Sequence, residues 1–462
     1  MPGLEQVLTA AQMRAAEDAV MATGTSVDEL MLRAGQGAAE WVWRLAAGRA
    51  VTVLCGPGNN GGDGYVIAET LRARGLAVTV VAPVEPKTDA ARKAKAAYRG
   101  DYAADGHGGV LVDCLYGSGL TRPLSDADAG LLWRLASRHH HVVAVDLPSG
   151  LATDDGALLG QPVRADLTLA LGAWKAAHFR MPARASMGEV RLVDIGIAPV
   201  EGAAEVFPRP TLERPAADAH KYTRGLLGVV AGDMTGAALL AATAAMRAGA
   251  GYVKLLSPRS HPAAPAGLVV DESELEEALD DRRLSALLVG PGLGRSDEAR
   301  RCLGAVLEIG VPTVLDADAL HLLDDEAIEG VDTARLLLTP HEGELDRLCA
   351  AFAIKASDKA ERARSLAGRT GMTVLAKGPD TVLAGGDGRV AWFHPARSWL
   401  SVAGTGDVLA GIAASRLATG RDPFTAAGEA VWLHSEAARL AGPAFTPDDL
   451  TAAVSSAYAR LL

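Results

Sequence analysis

Cys55-Gly56-Pro57-Gly58-Asn59-Asn60-Gly61-Gly62-Asp63-Gly64 is the stretch from which the fold is read. It follows Val51–Cys55, a short apolar strand, and leads into Asp63–Ala73, which reads as a helix. Its five glycines let the backbone turn sharply and approach a ligand closely. The helix start offers free N–H groups to a phosphate. Asn59 and Asn60 add side-chain carbonyls, and Asp63 adds a carboxylate. This density of Gly, Asn and Asp favours a ligand site over a bare strand-to-helix turn.

Further strands are expected at Ala77–Ala82, Val110–Asp113, Val142–Asp146 and Leu167–Leu171, with Ala127–Ser137 a helix among them. Upstream, Ser26-Val27-Asp28-Glu29 fits a capping box ahead of Leu30, Ala34, Ala38 and Trp41 at helical spacing. Short apolar strands alternating with helices predict a parallel sheet covered on both faces. Two more motifs close strands: Asp113-Cys114-Leu115-Tyr116-Gly117-Ser118-Gly119-Leu120 and Asp146-Leu147-Pro148-Ser149-Gly150-Leu151. In open α/β sheets, ligands bind at that strand end. Lys175 and His178 follow another strand, where a solvated loop is favoured over a place in the pocket. The run His139-His140-His141 reads as a solvated turn.

A second strand–helix series begins at Tyr222, with strands at Leu226–Ala231, Tyr252–Leu256, Ala286–Val289, Thr313–Asp316, Leu336–Thr339 and Thr373–Ala376. Gly385-Gly386-Asp387-Gly388 predicts a hairpin between Thr381–Ala384 and Val390–His394. The last helix read is Asp407–Thr419, opened by the Gly-rich turn Ala403-Gly404-Thr405-Gly406. Such a turn offers N–H groups to a transferring phosphoryl group, with Asp407 beside it to take a proton. The proline-bearing segment 208–219 is the expected linker between a domain over 1–207 and one over 220–462. Thr339-Pro340-His341-Glu342-Gly343-Glu344 lacks the spacing of a histidine metal site and reads as a substrate-facing loop.

Composition narrows the function classes. The 462 residues suit two or three domains. A net charge of −11 without a basic stripe excludes a nucleic-acid footprint and an anionic membrane surface. Four cysteines without C-x-x-C spacing, no signal-peptide layout and no long apolar run make the cytoplasm the expected location.

These motifs carry a resemblance to a known family. The first half resembles the NAD(P)H-hydrate epimerase domain, through G-P-G-N-N-G-G-D-G, D-x-x-x-G-S-G-L and D-x-P-S-G. The second half resembles the ADP-dependent NAD(P)H-hydrate dehydratase of ribokinase-like fold, through H-K-Y-x-R-G, G-P-G-L-G, T-P-H-x-G-E, K-G-x-x-T and G-T-G-D-V-L-A-G. The resemblance implies a Rossmann-like three-layer α/β/α domain followed by a ribokinase-like α/β domain. It further implies that Asn59, Asn60, Gly61, Gly62 and Asp63 contact hydrated NADH or NADPH, as do Gly117, Ser118, Gly119, Leu120, Thr121, Arg122 and Pro123. Asp146 is then the catalytic carboxylate, and Asn60, Asp113 and Ser149 ligate potassium. In the second domain Ala237, Gly292, Gly294, His341 and Asp407 face the hydrate. Lys377, Gly378, Pro379, Asp380 and Thr381 face the nucleotide, with Gly404, Thr405 and Gly406. Asp407 is the catalytic base, ADP the co-substrate and magnesium the phosphate-bridging ion. A homo-oligomer is implied as well. One departure is the Gly232–Ala237 loop, about two residues shorter than the family's usual one.

The implied chemistry is epimerisation of the R and S hydrates, coupled to dehydration of the S form with release of AMP and phosphate. Resetting the carbinol centre calls for an acid–base carboxyl. Acid work near neutrality would need the Asp146 pKa raised. The second half alone also permits a small-molecule kinase, and the first half a non-catalytic nucleotide-binding domain.

Overall fold

The computed structural model describes residues 5–462. The chain divides between Val206 and Phe207 into two compact units.

In the first unit, seven strands form one sheet in the order Asp101–Tyr102, Val78–Val81, Val51–Cys55, Gly108–Cys114, His139–Val145, Leu167–Leu171, Glu189–Val193. Every neighbouring pair is parallel. The chain starts at Val51–Cys55, steps outward twice, then crosses back to Gly108–Cys114. The strand order therefore reverses between these two strands, where Cys55 pairs with Cys114, and a ligand crevice opens at such a point. Val53, Tyr65, Ile67 and Val110 fill one face of the sheet, and Leu54, Leu111, Leu132 and Leu135 the other.

Three local expectations change. The helix after the glycine motif begins at Asn59, not Asp63, because Gly61 and Gly62 lie in its first turn. A Cβ on Gly61 would overlap the Gly56 carbonyl, so the glycines serve close packing there rather than an extended loop. Ser26 caps the helix Val27–Ala46 through the Glu29 amide, but the Glu29 carboxylate goes to Arg33 instead of completing the box. The histidine run starts a strand: His139 bridges the Leu135 carbonyl and the Thr52 hydroxyl.

In the second unit the strand order is Val269–Asp271, Tyr252–Leu256, Leu226–Val230, Leu284–Val289, Thr313–Leu315, Leu336–Leu338, Thr373–Ala376. These pair in parallel. The hairpin Val382–Ala384 and Val390–Trp392 extends the sheet antiparallel. The order reverses between Leu226–Val230 and Leu284–Val289. Helices Pro423–Ala441 and Pro447–Ala459 follow the last helix that the sequence reading placed. Residues 208–219 run without regular structure but lie against this unit. Leu212 is buried, and its amide donates to the Leu461 carbonyl at 2.6 Å.

Alanine and glycine let two helices of this unit come unusually close. Thr405–Ala418 packs on Thr235–Arg247, and a Cβ on Gly411 would overlap the Ala241 carbonyl oxygen. Gly→Ala in a helix gains about 1 kcal/mol in propensity. Overpacking against a backbone atom costs about 1–3 kcal/mol, and it should win. Gly411→Ala is therefore expected to lower the denaturant midpoint of the second unit. An unchanged or raised midpoint would show that the helices separate at little cost.

Candidate active sites

In the first unit, backbone packing builds the site. The Gly56 amide donates to the Cys114 carbonyl at 3.0 Å. A Cβ on Gly56 would overlap the Leu115 carbonyl oxygen, so the two loops leaving neighbouring strands touch directly. The helix Asn59–Ala73 starts behind Gly58 with no side-chain cap, leaving its first N–H groups available. The Asn60 side-chain amide is buried, and neither its Oδ1 nor its Nδ2 has a partner. A Cβ on Gly117 would lie 3.0 Å from Asp146 Oδ2 and 3.1 Å from Asn60 Cγ. Asn60, Gly117 and Asp146 thus converge on one spot.

Asp146 sits just past the strand His139–Val145 at φ 67°, a region that costs a non-glycine residue strain. Its Oδ2 accepts from the Ser118 amide at 2.8 Å, and its Oδ1 lies 2.7 Å from Lys175 Nζ. Both members of this ion pair are buried. Burial pushes the Asp146 carboxyl up, but the Lys175 ammonium and the Ser118 donors outweigh it and hold it at about 2. The raised pKa that acid work near neutrality would need is therefore not found: the carboxylate rests charged. His178 braces the same loop. Its Nδ1 accepts from the Lys175 amide and its Nε2 donates to the Asp146 carbonyl, while burial holds it neutral, down at about 4. Asp63 moves the other way. Burial raises it well above the usual range, Asp146 and Glu17 raise it further, and Lys175 opposes them.

Asp113 and Ser149 form a closed brace. Asp113 Oδ1 accepts from the Ser149 hydroxyl at 2.8 Å and the Leu115 amide at 3.1 Å, and Oδ2 from the Ser149 amide at 3.0 Å. The loop Gly117–Pro123 lies beside this brace. Ser118 accepts from Thr153, Leu120 turns back to Gly117 and is buried, and Thr121 and Arg122 are exposed. The solvated loop expected for Lys175 and His178 is not found: both side chains are buried, because each is engaged by Asp146 or its backbone. A lysine inside the apolar run Leu171-Gly172-Ala173-Trp174-Lys175-Ala176-Ala177 is the signal, since a buried charge requires a partner.

In the second unit the helix Thr405–Ala418 starts at Gly404, which has φ 93° and no side-chain cap. His434 fastens this turn from below by donating to the Thr405 carbonyl at 2.9 Å; burial keeps it neutral, down at about 4. Asp407 is half-buried. Burial lifts its carboxyl to about 6; Asp316 and Glu344 add to the lift and Lys377 opposes it. Lys377 Nζ lies 2.7 Å from Asp316 Oδ1 and 3.6 Å from where a Cβ of Gly406 would be. Asp316 also accepts from the Thr339 hydroxyl at 2.8 Å. The turn after Lys377 is held by Lys359, which donates to the Lys377 carbonyl and to Asp380, and by Thr381 Oγ1 donating to the Gly378 carbonyl.

Gly290–Gly294 follows the strand Leu284–Val289 with positive φ at Gly290, Gly292 and Gly294. The Gly294 amide donates to Asp318 Oδ2 at 3.0 Å. The short Gly232–Ala237 loop packs straight onto this one: the Met234 amide donates to the Gly292 carbonyl, and a Cβ on Gly232 would overlap Leu293. Met234 is 67% exposed, and Ala237 lies in the first turn of the next helix. His341 is the N-cap of the helix Glu342–Ala351: its Nδ1 accepts from two amides while Glu344 returns to the His341 amide. Its ring is otherwise exposed. His220–Gly225 lies at the amino end of the strands, where Lys221 packs over Tyr222 and Tyr252. It is thus away from the Asp407 turn. Asp316 was read only as the end of a strand, and Asp318 was not singled out.

Comparison with known proteins follows the same division. A family described as NAD(P)H-hydrate dehydratase matches residues 227–459, and one described as YjeF-related protein N-terminus matches residues 27–177. A bifunctional NAD(P)H-hydrate repair enzyme of Synechocystis is 32% identical over 95% of this chain and 91% of its own. The enzyme of that name from Mycobacterium tuberculosis is 36% identical over 88% of each chain. The solved ADP/ATP-dependent NAD(P)H-hydrate dehydratase of Bacillus subtilis is 28% identical, covers 55% of this chain and 95% of its own, with a TM-score of 0.46.

Removing one member of a buried ion pair strands the other charge and costs about 3–5 kcal/mol. Lys175→Met is expected to destabilise the first unit by that order, read from denaturant melts, and Lys175→Met with Asp146→Leu to recover most of the loss. A single variant as stable as the parent would show that the pair is not buried as described.

Proposed function

This chain belongs to the bifunctional NAD(P)H-hydrate repair enzymes, and we propose a role for each group that its two units gather at their sheet ends. The first unit epimerises the R and S forms of hydrated NADH and NADPH. The second dehydrates the S form at the expense of ADP. The observation that carries the assignment is the opposite poise of the two carboxylates: Asp146 is held charged by Lys175, and Asp407 is lifted towards neutrality in a half-buried turn.

In the first unit the hydrate lies against Asn59–Asp63 and Gly117–Pro123, with its phosphates at the uncapped helix start. Asp146, already a carboxylate, takes the proton of the carbinol hydroxyl and passes it to the ring nitrogen as the C–N bond opens to an aldehyde; the nitrogen then re-adds to the other face of the carbonyl and the proton returns to the oxygen. Lys175 keeps the carboxylate charged between turnovers. Asn60, Asp113 and Ser149 would hold a potassium ion. The buried, unpartnered Asn60 Oδ1 supports this, and an all-oxygen set suits a hard cation. Such an ion would supply a fixed positive charge to the site.

In the second unit Ala237, Gly292, Gly294 and His341 face the hydrate. Lys377–Thr381 and Gly404–Gly406 face ADP. Asp407 takes the proton of the ring hydroxyl as its oxygen attacks the β-phosphorus, and AMP departs. The phosphate ester then leaves as phosphate, pushed by the ring-nitrogen lone pair, and loss of a proton from the adjacent carbon restores the reduced ring. Amides of the helix start and the Lys377 ammonium stabilise the transferring group. Magnesium supplies charge neutralisation on the ADP phosphates when bound. Among the described residues no helix is long and apolar enough to cross a membrane. The family resemblance supports a cytoplasmic homo-oligomer as the working form.

Asp146→Asn is expected to abolish epimerisation while dehydration of the pure S form continues; an epimerising variant would remove Asp146 from its role. Dehydration should fall as pH drops through about 6, where Asp407 takes up its proton. A rate flat from pH 5 to pH 8 would contradict Asp407 as the base.

A further inference from the structure

The strand Thr313–Leu315 ends in Asp316-Ala317-Asp318, a segment the residue roles above leave unused. Ala317 sits at φ 48°, ψ −119°, a strained backbone for a residue with a side chain. Strain of this kind persists only where surrounding contacts impose it, and the two aspartates supply those contacts. Asp316 is 1% exposed and aims at the nucleotide side, accepting from Lys377 Nζ at 2.7 Å and Thr339 Oγ1 at 2.8 Å. Asp318 aims at the hydrate side, accepting from the Gly294 amide at 3.0 Å and Arg295 Nε at 2.8 Å. The Asp316 carbonyl oxygen in turn fills the space a Cβ on Gly290 would need.

We infer that Asp316 is a positioning residue of the dehydratase, holding the Lys377 ammonium over Gly406 and beside Asp407 where the phosphoryl group transfers. A lysine carries a flexible four-carbon stem and a point charge, so on its own it samples many positions. Fastened to a buried carboxylate that a threonine also fixes, its Nζ stays at the helix start, 3.6 Å from the bare face of Gly406. The same carboxylate adds to the lift on Asp407, so one group sets both the aim of the cation and the basicity of the base. Asp318, one residue beyond Ala317, fixes the hydrate loop, and the strained turn thereby locks the two loops in one register.

The inference rests on the roles given to Asp407 and Lys377, and the test separates the two levels. Asp316→Asn is expected to lower the dehydratase kcat by roughly 10- to 100-fold, the usual loss for a group that orients another. The KM for the S hydrate should hold, because the Asp318 contacts remain. The acid limb of the rate should move to lower pH, since a carboxylate that lifts Asp407 has gone. At a pH well above the acid limb, Lys377→Met with Asp316→Asn should be no slower than Lys377→Met alone, because Asp407 is charged there in either variant and Asp316 then acts only through that lysine. A parental kcat, an unmoved acid limb or a fully additive loss in the double variant would each overturn the inference. If Asp316→Asn does not fold, Thr339→Val loosens the same carboxylate: a smaller fall in kcat is expected, and a parental value overturns the proposal. Asp407→Asn is measured alongside: activity retained there sinks the underlying reading, whereas its loss together with a parental Asp316→Asn sinks only this inference.

Discussion

Contact between backbone and backbone, possible only where a side chain is missing, organises both units. In the first, Gly56 lies against the Leu115 carbonyl and Gly61 against Gly56. In the second, Gly232 meets Leu293, Gly290 meets the Asp316 carbonyl, and Gly411 meets Ala241. Three of these contacts, Gly56 with Leu115, Gly232 with Leu293 and Gly290 with Asp316, join loops that leave parallel strands near the point where strand order reverses, while Gly61 with Gly56 tightens the turn into the helix. The crevice that any open α/β sheet offers there is thereby narrowed to a fixed shape, and the helix starts at Asn59 and Thr405 are aimed into it. A methyl group at any of these positions would push apart the loops that carry the chemistry.

On that shared frame the two sites set their carboxylates differently. Asp146 is fully enclosed, and enclosure alone would make it a neutral acid. Lys175, equally buried and 2.7 Å away, reverses the outcome. Asp407 has its cation at one remove, because Lys377 is engaged by Asp316, and its carboxyl comes to rest near 6. The distinction suits the tasks. A base that takes a proton near neutral pH works best with a pKa close to that pH, as Asp407 has, whereas Asp146 is kept ready as a carboxylate by its cation.

Much of this was legible in the chain. The motifs around Asn60, Asp146 and Asp407 stood where strands give way to helices, and periodicity placed most of the parallel strands that carry them. What escaped was long-range. Nothing local says that Lys175 will meet Asp146, twenty-nine positions earlier by subtraction of their numbers; only the added strand Trp174–Lys175, paired alongside Gln6–Leu8, brings it inward. The raised Asp146 pKa that acid work near neutrality would need is absent for the same reason, because the charge of that distant partner outweighs burial. Asp316 read as the polar end of a strand because its role depends on Lys377, brought close by the neighbouring strands of the sheet. The helix at Asn59 started early because glycines that look like loop residues were needed inside a tightly packed first turn.

That one chain both interconverts the hydrates and consumes one of them is the premise on which both sites rest. It is tested most directly by following absorbance of the reduced nicotinamide ring while the protein acts on a mixture of R and S hydrated NADH with ADP, magnesium and potassium. Recovery of the whole mixture is predicted, because the first unit feeds the R form to the second. Recovery that halts at the S fraction would contradict the epimerase half, and no recovery at all would contradict the dehydratase half.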